Sequence, residues 1–131
     1  MNIIEKNYKT LEKMQFLASL RENSYVRYKR PGMKDLHLNK MRDDGKILHF
    51  SISHYDLDGG SLKADPDMEI IADWSKGIVK PLTYHDDFNE TYKEIDENTM
   101  SNHDLVNELS HFLDKWLTKI GESQYVIANK R

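Results

Sequence analysis

Residues 101–121 read SNHDLVNELSHFLDKWLTKIG, and their periodicity decides the fold. Leu105, Leu109, Phe112, Leu113, Trp116, Leu117 and Ile120 recur at the spacing of one stripe of an α-helix. Ser101 followed by Asp104 is a capping-box-like start, because the hydroxyl can accept from an otherwise unpaired amide while the carboxylate favours the positive helix end. Gly121 offers a left-handed stop. Burying such a stripe is worth ~1.5–3 kcal/mol per large side chain. The helix over 101–120 therefore predicts an apolar sheet face beneath it.

That face is present upstream. In residues 47–55, Leu48, Phe50 and Ile52 alternate with His49, Ser51 and Ser53, the period of a strand with one face buried and the other toward solvent. Leu36 and Leu38 alternate with His37 and Asn39, and Asp43-Asp44-Gly45 supplies the tight turn between these two strands. A second turn, Asp56-Leu57-Asp58-Gly59-Gly60, leads through Asp65-Pro66-Asp67 to the alternation Met68, Ile70, Ala72, Trp74. Residues 78–84 are extended again, and Pro81, which has no amide to donate, belongs at an edge or a bulge. A short first strand runs from Tyr25 to the Pro31-Gly32 turn. Before it, Ile4, Tyr8, Leu11, Met14 and Ala18, widened by Phe16, Leu17 and Leu20, predict a helix over 2–20. Short connections make a meander the simplest topology. The expectation is an α+β fold: an antiparallel meander of about four to five strands, with N-terminal and C-terminal helices packed on one face. Residues 1–122 form a single domain, and residues 123–131 either add a short strand or fray.

A length of 131 residues is near the commonest single-domain size. There is no cysteine, which excludes disulfides and thiolate chemistry and limits metal ligands to His, carboxylate or carbonyl groups. Glu5, Lys6, Lys9, Glu12 and Lys13 rule out a signal-peptide core in the first helix. No run approaches the ~18 apolar residues of a membrane span. A cytoplasmic location without membrane contact is expected. Residues 1–46 carry +5 and residues 47–100 carry −8. This bipolar distribution can select a charged partner.

Chemistry could reside in the middle of the chain. His54, Asp56, Asp58, Asp65, Asp67, His85 and Asp86 supply imidazoles and carboxylates that could bind a partner. His54, Asp65, Asp67, His85 and Asp86 could also hold a divalent metal that activates water. The alternative is that these Asp residues cap backbone amides in turns. An EF-hand is excluded, because the twelfth position counted from Asp56 is Asp67 rather than glutamate and the flanks are extended. Tyr25, Arg27, Tyr28, Lys29 and Arg30 interleave rings with cations, as a single-stranded nucleic-acid surface would. Trp74 and Trp116 sit at the period of their own elements and read as core.

Two stretches carry a resemblance. Ser53-His54-Tyr55 through Gly59-Gly60, Asp65-Pro66-Asp67-Met68 and Pro81-Leu82-Thr83-Tyr84-His85 is similar to a domain of unknown function met in plasmid and phage proteins, with His85 where glutamine is expected. The Phe112-Leu113-x-x-Trp116-Leu117 helix resembles that of another small bacterial family of unknown function. The resemblance implies a compact α+β fold, no catalytic residue to transfer and a link to mobile elements. No cofactor is called for. The favoured reading is a non-enzymatic protein-interaction or modulator domain, for example an inhibitor of a host defence system, that binds its protein partner through the acidic middle face. A metal-dependent hydrolase or small-ligand binder is the alternative, and nucleic-acid binding the third. Nothing in the sequence sets an oligomeric state.

Overall fold

A computed structural model describes residues 1–96 and 103–131. The elements are α1 (Ile3–Lys13), α2 (Phe16–Glu22), β1 (Tyr25–Lys29), β2 (Leu36–Asp43), β3 (Ile47–Asp58), β4 (Ser61–Asp73), β5 (Ile78–Asp86), β6 (Thr91–Glu94), α3 (His103–Glu122) and β7 (Val126–Lys130). All strand pairs are antiparallel, in the order β6-β5-β4-β3-β2-β1-β7. The α+β class, the meander and the helices at both ends are as expected, but the sheet has seven strands rather than four to five. One addition is β6, whose four residues are too few to show a period. The other is β7, formed by the tail and paired with β1.

The helices cover one sheet face. Val26, Leu36, Leu38, Leu48, Phe50, Ile52, Met68, Ile70, Ala72 and Val79 point into the core, where they meet Leu11, Leu17, Leu20, Leu113, Leu117 and Ile120. The expected single helix over 2–20 is two, because Gln15 turns left-handed (φ 68°). The break lets α1 pack on α3 and β5 while α2 turns to β1 and β2. At the other end α3 runs through Gly121 to Glu122, and the left-handed residue is Gln124 (φ 56°), so Gly121 is not the stop. The expected Ser101 cap lies outside the described residues. Among the described residues, no helix is long and apolar enough to cross a membrane.

Turn chemistry fixes the register. Gly59 and Gly60 (φ 60° and 86°) make the two-residue connection between Asp58 and Ser61, a conformation that side chains with a Cβ rarely adopt. Asp43, Asp44 and Asp73 accept backbone amides of the residues that follow them, each within 3.0 Å. Pro81 sits at the bulge where the β4–β5 register shifts.

The α1–α3 contact buries polar groups that lack partners. Asn7 donates through Nδ2 to the Ser110 carbonyl at 2.9 Å, while Asn7 Oδ1 and Ser110 Oγ, both fully buried, have no partner among the described residues. A buried unsatisfied hydroxyl costs ~1–3 kcal/mol, and alanine is the better helix former. Ser110→Ala is therefore expected to raise stability by about 1 kcal/mol, read as a higher urea midpoint at unchanged slope. A fall in the midpoint would show that the hydroxyl has a partner after all.

Candidate functional site

The helix-free face of the sheet has an unusual order, set by register. Asn129, Arg27, His37, Ser53, Asp67, His85 and Tyr92 are consecutive cross-strand partners and form one rung over all seven strands. The neighbouring rung is Tyr25, Asn39, Ser51, Glu69, Thr83 and Glu94. Directly paired residues project from the same face, so both rungs are polar throughout. The face expected to meet solvent is partly closed: Ser51 and Ser53 are buried, a floor of small side chains beneath larger neighbours.

Side chains link the rungs. The Tyr25 hydroxyl lies 2.6 Å from His37 Nδ1 with the two rings stacked, and His37 meets the Tyr55 ring edge-on at 6.2 Å. Tyr55 donates to Asp67 Oδ2. Across the strand from Asp67, His85 pairs with Asp87 at 2.8 Å and meets the edge of Tyr92. In the second rung Glu69 takes His49 Nε2 at 3.0 Å and the Thr83 hydroxyl at 3.4 Å. Burial pushes the Asp67 carboxyl up, opposed by the Tyr55 hydrogen bond, and burial pushes the His37 imidazole down. Burial and the Asp67 carboxylate together push the Tyr55 hydroxyl far up, so it remains a donor. Beside the rungs lies an open groove of about 590 Å³ lined by His49, Glu69, Leu82, Thr83, Tyr92 and Glu94 among others. Among the described residues, Ser53 Oγ, between His37 and Asp67, has no hydrogen-bond partner.

Of the seven residues expected from sequence, Asp67 and His85 stand side by side in the rung. The others are elsewhere. His54 projects from the helix side between Trp116 and Tyr125 and donates through Nδ1 to the Asp35 carbonyl at 2.9 Å; burial pushes its imidazole down. Asp56 and Asp65 both bind Lys34, whose ammonium is held up chiefly by the Asp65 hydrogen bond. Asp58 is exposed at the β3–β4 turn. Asp86 is buried and caps the β5–β6 turn.

The metal-hydrolase reading is thereby corrected. His54 and Asp86 lie on the helix side, Asp65 is committed to Lys34, and among the described residues no group of three or more His, Asp or Glu could hold a metal ion. For the nucleic-acid reading, Tyr28 is 6% exposed and packed on Phe16, and Arg27 is paired with Asp35, so one ring and one cation of the expected platform are already engaged. Sequence reasoning passed over His37, Tyr55, His49, Glu69 and Tyr92. The available signal was strand parity, which places His37 with Asn39, and Asp67 with Glu69, on the face opposite the core.

No curated protein and no solved structure matches the chain. One family model does, that of the domain of unknown function DUF6908, over residues 6–126. This match spans both helix ends and six of the strands in full, and it bears out the expected membership of a small domain family without an assigned role. The chain belongs to the DUF6908 family.

Proposed function

We propose that the chain is a non-enzymatic protein-interaction domain whose partner docks on the helix-free face of the sheet. The observation that carries this reading is the pair of all-polar rungs in register across the sheet. Solvation alone does not require His, Tyr and carboxylate side chains to be tied to one another over a buried serine floor, whereas a fixed recognition surface does. Its acidic part is Asp67, Glu69 and Glu94, with the groove beside Tyr92 as an anchor point. A basic partner surface matches this charge. The resemblance to mobile-element domains supports a modulator of a host protein in the cytoplasm, of which a defence inhibitor is one form.

The test uses tagged full-length chain and its Glu69→Arg/Glu94→Arg and Tyr92→Ala variants, each checked for unchanged thermal midpoint. A stoichiometric partner captured by the parent chain should bind the variants at least about tenfold more weakly, ~1.4 kcal/mol. Equal binding by folded variants would sink the reading.

A further inference from the structure

The sheet ends at β7, and its outer edge differs in chemistry from the acidic face described above. Arg131 exchanges both backbone hydrogen bonds with Tyr25, N to O at 2.8 Å and O to N at 3.1 Å. In an antiparallel ladder such pairs alternate with residues whose amide and carbonyl point the other way. The N–H and C=O of Lys130 therefore face away from β1. Protected edges usually carry proline, inward charges or a covering segment. Here Val126 and Ile127 are 59% and 50% exposed, and no proline lies in β7.

The surroundings are basic. Lys29, Lys130 and Arg131 are exposed around this edge, with Arg30 following β1, while the nearby Asp35 carboxylate is occupied by Arg27. Arg131 is held over the Tyr25 ring at 4.7 Å, which fixes one of these charges in place. We propose that the outer edge of β7 is a strand-addition site for an extended, acidic segment of a partner protein. The backbone of that segment pairs with the outward groups of β7, its apolar side chains cover Val126 and Ile127, and its carboxylates meet Lys29, Lys130 and Arg131. A second copy of the chain is disfavoured, since pairing two such edges brings like charges together. The bulge at Ala128, where the β1–β7 register shifts, further restricts pairing to a short segment. This inference does not depend on the proposed acidic docking surface: it uses the basic backbone edge of β7, at the other end of the sheet from Glu94 and Tyr92.

The probe is a synthetic heptapeptide with three central valines flanked on each side by two glutamates, so that both faces of the strand carry valine and carboxylate, added to the full chain and followed by amide NMR, with a lysine-for-glutamate peptide, a thymidine oligonucleotide and the protein alone at rising concentration as comparisons. The acidic peptide should slow exchange of the Lys130 amide at least about tenfold. Lys130→Pro, which deletes the outward donor but no bond to β1, should weaken binding at least about fivefold more than Lys130→Ala, which removes only the charge. Unchanged spectra outside β7 and β1 show that Lys130→Pro is folded, and the exchange measurement on the unsubstituted chain stands without it. No binding at millimolar peptide would overturn the proposal. So would equal binding of the lysine peptide, protection by the oligonucleotide instead, or a concentration-dependent dimer that protects the same amide.

Discussion

Phe50→Ala is expected to lower stability by ~3–5 kcal/mol, the largest loss of any single substitution considered. Phe50 is fully buried near the middle of β3, cross-strand from Lys40 and Ile70, and is among the largest buried side chains. The strands around it are tied by continuous ladders and cannot close on the space a ring leaves, so the cavity cost adds to the transfer cost. Against a typical domain stability of ~5–15 kcal/mol, the variant should melt at least about 10 °C lower. Phe112→Ala, at a half-buried ring on the rim of α3, should cost clearly less. A loss below about 1 kcal/mol for Phe50→Ala would mean that the β3 core position is wrong.

Asp86→Ala should be the next most damaging, for a different reason. Oδ1 accepts the amides of Phe88 and Asn89, each at 3.1 Å, and Oδ2 accepts the Asn89 side chain at 2.7 Å and the Tyr84 hydroxyl at 3.2 Å. Alanine leaves these donors without an acceptor at a site only 5% exposed, which costs ~2–3 kcal/mol. Burial alone would raise the Asp86 carboxyl, but the hydrogen bonds from Asn89, Tyr84 and Phe88 outweigh it and hold the group below its usual 3.8. The folded state thus binds the proton less readily than the unfolded chain. The stabilisation is complete above 3.8 and is lost as pH falls below that value through the folded pKa. Urea midpoints measured from pH 6 to pH 2 should fall less steeply for Asp86→Ala than for the parent. Parallel curves would show that this carboxylate is not a source of acid sensitivity.

The sequence carries the helix α3 and the turns openly, because both are local. A stripe from Leu105 to Ile120 needs no knowledge of the rest of the chain, and neither does an aspartate followed by glycine. The break at Gln15 has no such signal, since the apolar pattern continues across it and the change of direction answers to two different packing partners, β5 and the β1–β2 pair. The candidate site was the least legible part. His54 and His85 look alike in sequence, yet parity turns one toward Trp116 and the other toward Tyr92. Asp67 and Asp86 differ in the same way, one beside Tyr55 and the other inside a turn. The rungs come from the register of strands far apart in the chain, and bulges at β1–β7, β2–β3, β3–β4 and β4–β5 shift that register in ways composition does not announce.

The β1–β7 pairing also bears on how the protein is made. Ser24 and Arg131, joined beside that pair, are 107 residues apart. At a ribosomal rate of roughly 5–20 residues per second, β1 waits about 5–20 s between its own synthesis and that of β7. Throughout that interval β2 can flank it on one side only, so the nascent chain carries an open strand until translation has delivered its partner. Such long-range closure is slow and leaves strand edges available to the wrong neighbour. Chaperone supply while the segment from β6 to β7 is being made should therefore affect how much of the chain closes this edge correctly.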